Sequence, residues 1–267
     1  NFVISILIDR RNNIWIGTDD GVNKYDGNNL THYREENGIG EGYATCMLED
    51  SQGNIWFASY AGITKYNGES FELIAIPGNT EGSFIGDMIE DSRGNIWLAT
   101  ESLGACKYDG EYFTCYTTNE GVISNHTTSI FEDSAKNIWI STGEGLTKFD
   151  GTNFYNYTTK SGLNSNNTIC VLEDRKEQLW VGTFRGLNCI KGDTIYDYSN
   201  QTDLHKTIEC GIECDDGSIW FGTASGLLVY SENKFSIYNE DDGLSSDYIN
   251  NIIQHKNFMY LGSNNGI

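Results

Sequence analysis

The chain has 267 residues, 38 acidic against 17 basic, and a formal net charge of −21. That balance argues against a nucleic-acid or anionic-lipid surface, which needs clustered Lys and Arg, and no apolar run approaches the roughly 20 residues of a membrane-spanning helix. Thirty glycines against one proline, Pro77, imply many tight turns, and six Trp, 16 Tyr and 12 Phe supply bulky, strand-favouring side chains.

Along the chain one strand-like phrase keeps returning. It reads Ile14-Trp15-Ile16-Gly17-Thr18, then Ile55-Trp56-Phe57-Ala58-Ser59, then Ile96-Trp97-Leu98-Ala99-Thr100. It continues as Ile138-Trp139-Ile140-Ser141-Thr142, Leu179-Trp180-Val181-Gly182-Thr183 and Ile219-Trp220-Phe221-Gly222-Thr223, with a weaker copy at Met259-Tyr260-Leu261-Gly262-Ser263. The aromatic-to-aromatic steps are 41, 41, 42, 41, 40 and 40 residues, a regularity that makes the repeat the organising fact of the sequence.

Each period reads as four strands. A first strand such as Ala44 to Glu49 ends at an acidic pair, and the turn Asp50-Ser51-Gln52-Gly53-Asn54 leads into the Trp strand. A short third strand such as Ile63 to Tyr66 follows. Asn67-Gly68 or Asp109-Gly110 then signals a hairpin. The fourth strand carries aromatics three apart: Phe113 and Tyr116, Phe154 and Tyr157, Phe235 and Tyr238. No segment sustains a 3.6-residue period, so helix should be nearly absent. Four antiparallel strands every 40 to 45 residues is the pattern of a propeller blade. The expectation is an all-β, seven-bladed β-propeller of four-stranded antiparallel blades, with the seventh blade incomplete. One domain over 1–267 has repeats at about 1–37, 38–78, 79–119, 120–161, 162–202, 203–242 and 243–267. A β-helix or open solenoid is the rival architecture, and its coils are usually shorter. Seven full periods need about 287 residues, so the last blade should expose an edge or be completed by residues upstream of Asn1. An open edge invites strand pairing.

The phrase Glu90-Asp91-Ser92-Arg93-Gly94-Asn95-Ile96-Trp97-Leu98-Ala99-Thr100, with its copy Glu49 to Trp56, resembles the two-component regulator propeller repeat. The likeness extends over the whole chain. The last copies depart from it: Cys214 and Gln254 stand for the Asp, and Tyr260 for the Trp. The resemblance implies a seven-bladed sensor propeller, the periplasmic or extracellular part of a hybrid two-component protein anchored through segments outside this chain. Many such sensors recognise glycan breakdown products. Repeat identity specifies the scaffold and leaves the ligand open.

Strand order places the turns after strands two and four on one face, around the channel mouth. Positions on that face that differ from blade to blade are the site candidates. After the second strand these include Asp19 and Asp20, Tyr60, Glu101, Glu144, Phe184 and Arg185. Arg185, beside Phe184, could clamp a carboxylate or stack on a sugar ring; a solvated turn charge is the plainer alternative. The entry to the first strand reads Phe2, Tyr43, Phe84, His126, Asn167, Thr207, Asp247. Three aromatics and a His would line one sector of the mouth, either as a sugar platform or as a packed plug. The ligand-binding set is therefore Tyr43, Tyr60, Phe84, Glu101, His126, Asn167, Phe184 and Arg185. No catalytic residue, metal site or cofactor is expected.

Other features invite over-reading. The pairs Glu49-Asp50, Glu90-Asp91, Glu132-Asp133 and Glu173-Asp174 suggest a glycosidase dyad, but they recur in register, whereas a catalytic pair should break the symmetry. They read as turn-forming carboxylates. Asp19-Asp20 and Glu240-Asp241-Asp242 lack the alternating ligands of a Ca²⁺ loop. The four His share no metal spacing, and His126 alone falls on the candidate ring. Cys46, Cys170 and Cys210 share one repeat position and read as small fillers. Cys106 and Cys115 face each other if the hairpin pairs Tyr108 with Phe113, which permits a cross-strand disulfide in an oxidising compartment. The resulting expectation is a non-enzymatic domain that senses an oligosaccharide or similar polar small molecule, signalling through its packing against neighbours or a dimer mate. A protein-interaction scaffold and a propeller lyase or hydrolase centred on His126 are the alternatives.

Overall fold

The computed structural model describes residues 3–40, 42, 44–79, 82–201, 206–255 and 258–263. The strands form six four-stranded antiparallel sheets in succession and a final two-stranded sheet. The only helical segments among the described residues are four single 3-10 turns, such as Glu35–Asn37 and Thr159–Ser161. Two compact units make up the chain, residues 1–132 and 133–267. The first holds complete sheets at Val3–Tyr33, Met47–Ile74 and Ile85–Tyr116; the second holds complete sheets at Thr168–Asp197 and Ile208–Tyr238.

The second strand of each four-stranded sheet is the buried one. Ile55–Ser59, Ile96–Thr100 and Leu179–Thr183 are buried at every position, because both faces of the strand lie against protein. Trp15, Trp56, Trp97, Trp139 and Trp180 are at most 3% exposed. The aromatics three apart on the fourth strand divide between the two faces. Tyr116 stacks on Trp97 of its own sheet at 5.5 Å. Phe113 instead packs on Tyr108 at 4.8 Å, and Tyr108 meets Trp56 of the preceding sheet at 6.1 Å. The third strand adds a lysine over the indole: Lys24 on Trp15, Lys65 on Trp56 and Lys148 on Trp139, at 5.1 to 5.6 Å.

The acidic pair has two separate jobs. The Asp is a hydrogen-bond hub for its own turn. Asp50 accepts from the Gln52 and Asn54 backbone N–H groups, the Asn54 amide and Trp56 Nε1 at 2.8 to 3.0 Å. Asp9, Asp91, Asp133 and Asp174 likewise accept from the indole N–H six residues on. The Glu reaches into the turn of the preceding sheet. Ser51 donates its N–H and hydroxyl to Glu90, Ser92 to Glu132 and Ser134 to Glu173, at 2.6 to 3.0 Å. The expectation that these carboxylates shape turns is met, and the Glu also ties neighbouring repeats together.

The degenerate copies show how the hub is replaced. Where Cys214 stands for the Asp, Trp220 Nε1 donates to Ser218 Oγ, which itself bonds Asp216. Gln254 requires a correction. The ladder pairs Ile253 with Tyr260, as Leu48 pairs with Trp56, which puts Gln254 at the Glu position instead of the Asp position. Its Oε1 accepts from the Asp215 N–H of the preceding turn, as the Glu does elsewhere. Aligning by acidity rather than by ladder register shifts this copy by one residue. In the same two-stranded sheet Phe258 and Tyr260 are 66% and 42% exposed, since no third strand covers Phe258–Ser263 among the described residues.

Most first strands carry a bulge that turns one side chain across the seam to the next sheet. Ser5 donates to the Ala44 carbonyl at 2.7 Å, and Cys170 Sγ lies against the Ile208 carbonyl. The small residue after the Trp makes room for it. A Cβ on Gly182 would stand 2.5 Å from Cys170 Sγ and 2.8 Å from Ile208 Cγ2. Burial pushes the Cys210 thiol up to about 12 and the Cys46 thiol higher still, which makes both unreactive. In the hairpin Ala105–Tyr108 with Phe113–Tyr116, Cys106 faces Cys115 at a Cα separation of 3.9 Å, and the two sulfurs are bonded.

Candidate functional site

In the first unit a cleft of about 520 Å³ is lined by Tyr60, Phe84, Gly86, Glu101, His126, Thr127 and Thr128. Four of the eight residues singled out from the sequence meet there. Tyr60 comes from the turn after the second strand of sheet two, and Glu101 from the same turn of sheet three. Phe84 and His126 each immediately precede a first strand.

Backbone bonds and the side chains of Thr127, Ser83, Ser102 and Asn79 hold these segments. The Glu101 N–H donates to the Phe84 carbonyl at 2.9 Å. On the other side the Thr100 N–H donates to Thr127 Oγ1 at 2.7 Å, and that hydroxyl bonds the Thr100 and Gly104 carbonyls. Ser102 is tied to Ser83 through its N–H and its hydroxyl. The Asn79 amide fixes the Tyr60 carbonyl at 3.0 Å. The Tyr60 and Phe84 rings lie 6.1 Å apart at 54° and remain 36% and 38% exposed. Two aromatic rings, a carboxylate, an imidazole and Thr128 thus share one opening, a composition suited to a ligand with both apolar and polar surfaces.

Asp87 follows Gly86 of the cleft wall and is a buried carboxylate not singled out from the sequence. It occupies the bulge position held by Ser5, Cys46, Ser129, Cys170 and Cys210 in other repeats. Its carboxylate accepts from Ser129 Oγ and the Ile130 N–H at 3.0 Å and from the Met88 N–H at 2.8 Å. Burial raises its pKa, and those three donors only partly offset that. The position's departure from small residues was the available signal.

The second unit places Asn167 and Phe184 side by side: the Phe184 N–H donates to the Asn167 carbonyl at 3.0 Å. Arg185 follows, its N–H on Thr183 Oγ1, and Phe184 is 58% exposed. This repeats the Phe84–Glu101 bond in another copy. Tyr43 lies outside the described residues. Asp20 pairs with Arg34 at 2.6 Å, which holds its carboxyl below the usual range.

Residues 1–20, 38–61, 81–102, 121–144 and 162–185 match the model of the two-component regulator propeller. The chain belongs to that family. Among solved structures, the propeller aligns over 99% of its length with 38% of the extracellular domain of BT3049, assigned to a hybrid two-component system of B. thetaiotaomicron (TM-score 0.82, 25% identity). The extracellular domain of BT4673 from the same organism aligns over 98% of this chain and 39% of its own (TM-score 0.79, 19% identity). The propeller therefore spans about two fifths of those chains. Virginiamycin B lyase from Staphylococcus aureus shares the fold over 99% of this chain and 92% of its own (TM-score 0.75, 12% identity). No curated protein sequence matches the chain.

Proposed function

We propose that this propeller is a non-enzymatic, extracytoplasmic sensor domain that binds an oligosaccharide or similar polar small molecule in the cleft between Tyr60 and His126. The observation that carries the reading is the convergence of two half-exposed aromatic rings with Glu101, His126 and Thr128 around one opening. The likeness to extracellular domains of hybrid two-component systems supports the location and the role. A lyase reading centred on His126 has less support, because the likeness to the lyase, at 12% identity, carries the fold and not the activity.

Calorimetry with a panel of neutral, amine-bearing and acidic oligosaccharides tests the proposal on the wild type, Tyr60→Ala and Phe84→Ala. Saturable binding that weakens tenfold or more in both folded variants is the expected result. No binding anywhere in the panel by a folded protein, or binding untouched by either substitution, overturns it.

A further inference from the structure

The cleft's electrostatics narrow the ligand class, on the premise that the cleft is the sensor's binding site. Of its lining residues Glu101 is the one carboxylate, and none is Lys or Arg. The Glu101 N–H is bonded to the Phe84 carbonyl, and both residues line the cleft. The carboxylate itself has no hydrogen-bond or ion-pair partner among the described residues, so no basic group among them pairs with it. Two aromatic rings line the same cleft, and a ring face is the negative pole of its quadrupole. The chain's net charge of −21 adds a field of the same sign. An anionic sugar meets repulsion from each of these. A neutral sugar leaves the carboxylate without a counter-charge. An ammonium group on a sugar answers all three, since cations settle on aromatic faces and pair with carboxylates.

We propose that the Tyr60–Phe84–Glu101 cleft selects an amine-bearing saccharide, its ammonium seated between the two rings and the Glu101 carboxylate. The sugar ring then reaches Thr128 on the far wall, with His126 as the opposing polar group.

The test uses four disaccharides of matched size: glucosamine disaccharide, its N-acetylated form, cellobiose and a uronic-acid disaccharide. Affinities are measured by calorimetry at about pH 7, below the usual range of an α-amino group, which a sugar amine resembles. The free amine should bind at least tenfold tighter than cellobiose or the acetylated form, with the uronic acid weakest. The preference should shrink at high salt, since the cleft is open to solvent. Glu101→Gln should cut the amine's advantage over cellobiose to about threefold or less, the rings alone remaining to favour the cation. Equal or tighter binding of cellobiose or the acetylated sugar overturns this inference and leaves the sensor reading standing. An amine preference above about threefold that survives Glu101→Gln overturns it too. No binding of any of the four overturns the inference, and the panel of the preceding subsection then decides the sensor reading separately.

Discussion

Replacing Asp50 by Ala removes the acceptor for four hydrogen bonds at once. Those to the Gln52 N–H and the Asn54 amide lie near the surface, where water can stand in for the carboxylate. The Trp56 indole N–H cannot be rescued, because Trp56 is buried, and the half-buried Asn54 N–H can be rescued only in part. A hydrogen bond to a charged group contributes about 1.5–3 kcal/mol, and a buried donor left unpaired costs about 1–3 kcal/mol. With two of the four donors rescued, the loss should be about 3–5 kcal/mol, lowering Tm by about 10 °C for a domain of this size. Asp50→Asn keeps one acceptor oxygen but turns an amide toward two donors, so it should cost about 2–3 kcal/mol. Ser218→Ala is the internal control. Trp220 is only half-buried, and its N–H bonds a hydroxyl in place of a carboxylate, so the loss should be about 1 kcal/mol. Burial alone would raise the Asp50 pKa, but the bonds from Asn54, Trp56 and Gln52 outweigh it and hold the carboxyl below the usual range. Asp9 and Asp91 behave in the same way. Their stabilisation is complete above the unfolded pKa, about 3.9, and fades as pH falls through the lower folded values. Urea unfolding from about pH 7 down to pH 2 should therefore show a smaller acid loss in Asp50→Ala than in the wild type. A cost below about 1 kcal/mol at neutral pH, or an unchanged acid profile, would refute the hub argument.

Asp87 has the opposite sign. Its folded pKa is raised, so the native state holds its proton to higher pH than the unfolded chain does, and its contribution falls as pH rises above about 4. The urea midpoint of the wild type should decline relative to Asp87→Asn over that range; parallel profiles would exclude the effect. Gly182→Ala forces a methyl onto Cys170 and Ile208 and should destabilise by about 1–3 kcal/mol, read by thermal unfolding. A double-mutant cycle of Ser51→Ala with Glu90→Gln should give a coupling of about 0.5–1.5 kcal/mol across the seam, and none if the bond is absent in solution. Alkylation followed by mass spectrometry should add two groups at Cys106 and Cys115 only after reduction, and reduction should cost about 2–3 kcal/mol for so short a loop.

Within each repeat, much of the architecture was legible. The Trp strand, the hairpin turns and the register that sets Cys106 against Cys115 all follow from spacing and alternation inside a window of about 20 residues. What stayed hidden are contacts between repeats. Glu90 bonds Ser51, a full period away, and nothing in the phrase Glu-Asp says that its two carboxylates point to different sheets. Gln254 was misplaced for the same reason: its role is defined by a partner, Asp215, in the preceding repeat. The convergence of Tyr60, Phe84, Glu101 and His126 was readable, because it required only the assignment of turns to faces. Asp87 was readable by the same comparison of copies, at a position taken to be filler.

The bonding of the cleft explains how the residues lining it can vary without changing the fold. At the mouth the residue before each first strand is bonded through its main-chain carbonyl to the turn after the second strand of its own sheet: the carbonyl of Phe84 receives the N–H of Glu101, that of Asn167 receives Phe184, and that of Thr207 receives Ala224. A main-chain bond constrains the identity of neither residue, so an aromatic, an amide or a hydroxyl can occupy the same place at little structural cost. At the opposite end, where the Asp and Glu side chains make the bonds, substitution removes an acceptor from a buried indole or from a seam. The repeat is accordingly regular at its acidic turns and irregular at its entry positions. The Tyr60–His126 cleft lies at the irregular end. Variation there is what the main-chain bonds permit, and a charge reversal such as Glu101→Lys should alter binding selectivity while leaving the urea midpoint within about 0.5 kcal/mol of wild type. A loss of several kcal/mol in that variant would show instead that the mouth is held by its side chains, and that the scaffold and the site are not separable.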